Sequence, residues 1–141
     1  MSSGNLSQVE TADLLHSAAI RLLRMVRVED AQSGIGPAQL SALSVLVFGG
    51  AKTVSELATV EQVRPPTMSK IVDGLVKKKL VQRVDDAEDR RTVRVSATAK
   101  GEKLMQAGKA RRVKALAARF EALSAADLKT LHAAAKLMLR L

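Results

Sequence analysis

Cysteine is absent from this chain of 141 residues. The absence removes disulfides, thiolate metal sites, cysteine nucleophiles and thiol redox sensing together. Tryptophan and tyrosine are also missing, and Phe48 and Phe120 are the only phenylalanines, yet 47% of the residues are apolar. That apolar content is mostly alanine, leucine and valine, which suits helices packed on helices better than an aromatic-rich β-sandwich. No uninterrupted apolar run approaches the roughly 20 residues of a membrane helix. The opening MSSGNLSQVETADLL has no basic start followed by an apolar stretch, so no membrane association and a cytoplasmic location are expected.

Acidic residues are scarce where basic ones are abundant. The formal net charge is +9, and residues 63–114 hold fifteen of the 23 lysines and arginines but six of the 14 acids. The rest of the chain is balanced at eight of each. A neutral chain carrying one basic block points to a polyanion-binding surface.

The size fits a single domain. From Asp13 to Val28, Leu15, Ala19, Leu22 and Val26 recur at helical spacing. Gly34 and Gly36 punctuate, Pro37 suits a first helical turn, and Gly49 and Gly50 end a short, strongly apolar helix. Thr53 and Glu56 form a capping pattern that opens another short helix through Val60. A tight turn then leads to PPTMSKIVDGLVKKKL, where Met68, Ile71, Val72, Leu75 and Val76 share one face. Two short helices so joined predict a helix-turn-helix. Because a residue before proline avoids the helical region, Arg64 and Pro65 are expected to be extended, with helix entry at Pro66. Next, LVQRVDDAEDRRTVRVSAT alternates on either side of a charged turn and reads as a two-stranded ribbon. A long helix from Thr98 to about Leu123 follows. Ser124 caps a last one whose Leu128, Leu131, Ala135, Met138 and Leu139 stay apolar to the end. The class is therefore mainly α with a small β-hairpin.

Catalysis finds no support in the sequence. His16 and His132 lie in separate helical patterns without a nucleophile setting. Carboxylates cluster only at the ribbon tip, and neither a phosphate-cradling glycine loop nor a metal-spaced ligand set occurs. No enzyme, metal or cofactor is expected.

The wing and its exit, VQRVDDAEDRRTVRVSATAKG, carry a specific pattern: Arg83, the acidic tip from Asp85, Asp89-Arg90-Arg91, an alternating strand, then Thr98 and Gly101. In this pattern and in its order of elements the chain resembles the MarR family of winged-helix transcription regulators; Ala97 replaces the usual leucine. The resemblance implies a winged helix-turn-helix part over residues 37–100, with residues 1–33 and 110–141 supplying dimerisation helices. It also implies a homodimer on a pseudo-palindromic double-stranded DNA site, with recognition helices in major grooves, wings in minor grooves, and in many members release by a small acid.

The residues themselves support such a surface. Small and polar groups must lead a helix that enters the major groove, and Arg64, Pro66, Thr67, Ser69, Lys70 and Lys77 are the DNA-facing candidates there. A minor-groove wing needs a rigidly held cation. Arg91 is the expected inserted residue, with Asp89 forking its guanidinium, while Arg90, Arg94 and Arg83 are expected phosphate or structural contacts. A small-molecule effector, if bound, would meet Leu23, Arg27, Leu43, Phe48 and Met68. The function expected is that of a repressor; the alternative is a nucleoid-associated or architectural DNA binder of low sequence specificity.

Overall fold

Side chains that satisfy otherwise orphaned amides mark most of the helix starts. The computed structural model describes residues 6–141, and the leader-free reading of residues 1–5 lies outside the described residues. Helix α1 (Gln8–Asp30) begins earlier than the expected Asp13. The Ser7 hydroxyl accepts the Glu10 N–H at 3.0 Å and the Glu10 carboxylate accepts the Ser7 N–H at 3.3 Å, a reciprocal cap that extends the helix. A single 3-10 turn at Ala31–Ser33 and a left-handed Gly34 (φ 75°) lead into α2 (Pro37–Gly49), whose first residue is proline. The predicted capping box of Thr53 and Glu56 opens α3 (Val54–Val60).

Helix α4 (Pro65–Lys77) starts at Pro65, one position before the expected Pro66. Arg64 is the extended cap (φ −73°, ψ 146°), and the first helical bond runs from the Met68 N–H to the Arg64 carbonyl at 3.1 Å. Both prolines fit because amides in the first turn have no intrahelical acceptor. The bias that a second proline imposes on the first is a preference, and a complete helical turn behind it overrides that preference.

Strands β1 (Val81–Asp85) and β2 (Val93–Ala97) pair antiparallel, from Val81 opposite Ala97 to Asp85 opposite Val93. Lys52 adds a third, one-residue rung: its N–H reaches the Val95 carbonyl at 3.1 Å, and the Val95 N–H returns to the Lys52 carbonyl at 2.7 Å. A hairpin alone is marginal in water, and this rung ties it to the residues just before α3. Helix α5 (Ala99–Phe120) ends before the expected Leu123, and α6 (Ala125–Met138) begins after Ser124, whose hydroxyl accepts the Asp127 N–H at 3.1 Å.

The core brings together Leu43 and Leu46 of α2, Leu57 of α3, Met68, Val72 and Leu75 of α4, the strand residues Val81 and Val95, and Met105 of α5. Each such side chain contributes about 1.5–3 kcal/mol by leaving water, so the helix-turn-helix and wing hold one another as a unit. By contrast, α1 and α6 contribute no buried residue.

Candidate nucleic-acid interface

The outer face of α4 is set by what its inner face must do. Met68, Val72 and Leu75 point into the core, so Pro66, Lys70, Asp73 and Lys77, which recur at helical spacing on the opposite side, face outward. Pro66, Thr67, Lys70 and Lys77 are exposed, as is Arg64 at the cap, while Ser69 is half-buried at the edge of the face. Asp73 on this face pairs with Arg83 of β1, which brings the base of the wing alongside it. Arg83 is thus engaged within the molecule.

At the wing tip the expected fork between Asp89 and the Arg91 guanidinium does not form. Asp89 Oδ1 instead accepts the Arg91 backbone N–H at 3.0 Å, Oδ2 accepts the Thr92 hydroxyl at 3.2 Å, and the Thr92 N–H reaches the Asp89 carbonyl at 2.9 Å. The aspartate closes the turn, as short acidic side chains do two residues ahead of themselves. Arg90 and Arg91 stand exposed. With Arg64, Lys70 and Lys77, they have no carboxylate in ion-pair reach among the described residues.

Arg94 is half-buried and held twice: Nε donates to Asp86 Oδ2 at 2.9 Å, and a terminal nitrogen lies 3.4 Å from Glu56 Oε2. The Glu88 N–H bonded to Asp86, and then Arg94 beside it, hold the Asp86 carboxyl below the usual carboxylate range. Asp86 in turn raises the Arg94 guanidinium. A lowered carboxylate pKa stabilises the fold above the ordinary value and loses that contribution only as pH falls through the lowered one. The pair is therefore fully charged near neutrality. Sequence reading missed Asp73, Asp86 and Glu56 as partners. Only Asp86 had a local signal, since the hairpin register sets the acidic turn close to Arg94.

The MarR family model matches residues 33–92. An uncharacterized HTH-type transcriptional regulator of Mycobacterium bovis, Mb0904, is 36% identical over 135 residues, which is 96% of this chain and 94% of that protein. The chain belongs to the MarR family. A second relative, the HTH-type transcriptional repressor MdtR of Bacillus subtilis, is 35% identical over 71 residues, 50% of this chain and 46% of its own. The solved structure of a MarR family protein from Bacillus stearothermophilus matches with a TM-score of 0.79 at 26% identity, covering 94% of this chain and 92% of that one. This MarR-family protein is a winged-helix, DNA-binding transcriptional regulator, and the family and its relatives are regulators rather than enzymes.

Of the residues expected to meet an effector, the MarR fold brings only two to one cleft. Leu23 and Arg27 of α1 line a cavity of about 650 Å³ with Ile35, Leu40, Met105 and Arg112. Leu43 and Met68 are wholly interior, at 0% and 1% exposure, because their faces of α2 and α4 close the core. Phe48 is 56% exposed on the far end of α2, with the Lys109 ammonium 5.8 Å above its ring. Across the cavity Arg112 pairs with Asp30 at 2.7 Å, an ion pair that joins α5 to the end of α1. No helix among the described residues is long and apolar enough to cross a membrane.

Proposed function

We propose that this MarR-family regulator is a homodimeric repressor of transcription that binds a pseudo-palindromic operator in the cytoplasm, at the nucleoid. The observation that carries the reading is the outward set of cations that have no carboxylate partner among the described residues, on α4 and at the wing tip, beside small groups that can approach base edges. In this reading Pro66, Thr67, Ser69 and Lys70 meet the major groove, and Arg64 and Lys77 meet flanking phosphates. Arg91 enters the minor groove with Arg90 at its edge. Residues 37–100 form the DNA-binding part. Residues 1–33 and 110–141 form the dimer, as the exposed apolar side chains Leu14, Ile20, Leu128, Leu131 and Leu137 on helices without buried residues support. Repression is the role that MdtR carries in its name. The cleft lined by α1, α2 and α5 is the proposed effector site, where Arg27, which unlike Arg112 has no carboxylate in ion-pair reach among the described residues, suits a small organic acid whose binding releases DNA.

Footprinting followed by titration tests the reading. A discrete site with two-fold symmetry is expected, with log affinity falling steeply as log salt rises. Protection everywhere would favour the architectural alternative, and a flat salt dependence would remove DNA as the ligand.

A further inference from the structure

The wing of a DNA-binding domain is useful only if its tip arrives at a fixed distance from the recognition helix, and a two-stranded ribbon is too pliant to ensure that alone. In this chain the ribbon is tied to α4 by the Arg83–Asp73 pair and to the start of α3 along two further lines. One is the backbone rung between Lys52 and Val95, immediately before α3. The other is Arg94, the residue preceding Val95, whose guanidinium spans Asp86 in the wing turn and Glu56 in the first turn of α3. Both acids are themselves immobilised. Asp86 Oδ1 accepts the Glu88 N–H at 3.0 Å, and its own N–H reaches the Thr92 carbonyl at 2.9 Å. Glu56 Oε2 accepts the Thr53 N–H at 3.1 Å. A planar guanidinium between two fixed carboxylates has a defined direction, which an ammonium could not reproduce.

We propose that Arg94 is a positioning residue that brackets the wing tip to the start of α3 and so sets where Arg90 and Arg91 meet DNA, and is not itself a phosphate contact. The proposal rests on the operator-binding reading for its functional consequence, but the bracket itself belongs to the free protein.

Three variants separate the two roles for Arg94. Loss of two partly exposed ion pairs should weaken operator binding in Arg94→Gln by about three- to tenfold. The slope of log affinity against log salt should stay at the wild-type value, since no phosphate contact is lost. Arg94→Lys should remain weakened, because one ammonium cannot serve both acids, whereas a phosphate contact would be restored by lysine. Glu56→Gln is the most discriminating. Glutamine keeps the cap of α3 and removes a negative charge beside the basic wing, so simple electrostatics predicts tighter binding of a polyanion, and the bracket predicts weaker binding. In the free protein, amide exchange at Asp86 and Thr92 should quicken in Arg94→Gln while Met105 in the core keeps its protection. A salt slope lower by about one in Arg94→Gln, full recovery in Arg94→Lys, tighter binding by Glu56→Gln, or unchanged exchange at the tip would each overturn the proposal. If the wild-type protein protects no discrete site, the operator reading fails, and the exchange measurement still decides the bracket.

Discussion

Asp89 shows how a residue pattern and a residue role can part. An acid two positions before an arginine can orient either that arginine's side chain or the backbone of the turn, and the letters do not distinguish them. The turn geometry does: the carboxylate is spent on the Arg91 N–H and the Thr92 hydroxyl. Asparagine retains an acceptor oxygen for the first bond and a donor for the second, whereas alanine retains neither. Operator affinity in Asp89→Asn should therefore stay within about twofold of wild type, Asp89→Ala should lose severalfold through a loosened tip, and Arg91→Ala should lose about tenfold to a hundredfold. Titration of the three variants at one salt concentration checks this. Equal losses in the Asn and Ala variants would restore the carboxylate–guanidinium fork. The charged residues of the site were thus legible as residue types. The partners Asp73 of Arg83 and Glu56 of Arg94 were not, because they come from other elements and only the packed fold brings them near.

At the scale of elements, the amphipathic face of α4, the alternating strands and the capping box of Thr53 and Glu56 were read correctly, since each is a local pattern with a local cause, whereas the equivalent box of Ser7 and Glu10 was passed over and α1 was begun too late. What escaped was closure between elements. Helices α3 and α4 both end with a non-glycine residue in the left-handed region, Gln62 at φ 56° and Lys79 at φ 59°. The following amides, of Val63 and Leu80, reach back to the Ala58 and Leu75 carbonyls at 3.0 Å each. Sequence rules expect glycine at such ends, so these stops carried no signal. The lone rung at Lys52 is too short to show a period of two. Gly101 was read as part of a family pattern, but its reason is contact. A Cβ there would overlap the Leu80 carbonyl oxygen and crowd a Leu43 methyl. That carbonyl is fixed by the Thr98 N–H at 3.0 Å, and the Thr98 hydroxyl bonds the Lys79 carbonyl at 2.7 Å. Backbone so stitched cannot yield cheaply. Gly101→Ala should lose about 1–3 kcal/mol of stability, read as a lowered denaturation midpoint. An unchanged midpoint would mean that the entry to α5 shifts freely.

The whole molecule is divided between a part that buries its apolar surface and a part that does not. Among the described residues, all the buried hydrophobic side chains lie between Ala42 and Met105, while Val9, Leu14, Leu128, Leu131, Leu137 and Leu139 stand in contact with solvent in the isolated chain. Isolated apolar side chains on a surface are ordinary, but two helices with no buried residue and repeated exposed leucines need a covering surface. A second copy is the occupant proposed for it, and the dimer then matters for affinity as well as solubility. Linking two half-site binders makes the second contact intramolecular, which raises affinity by about a hundredfold to ten-thousandfold over a single arm. Replacing Leu128 and Leu131 together by glutamate would put two charges into that interface without touching the core around Leu43 and Leu75. Light scattering should then report a mass near 15.1 kDa rather than twice that value. The loss of operator affinity should fall in the range just given, while binding to an isolated half-site changes little. A double variant that keeps both the doubled mass and full operator affinity would show that α6 does not hold the two copies together, and would shift the interface to α1 and the end of α5. Single-chain mass with undiminished affinity would instead separate operator binding from dimerisation altogether.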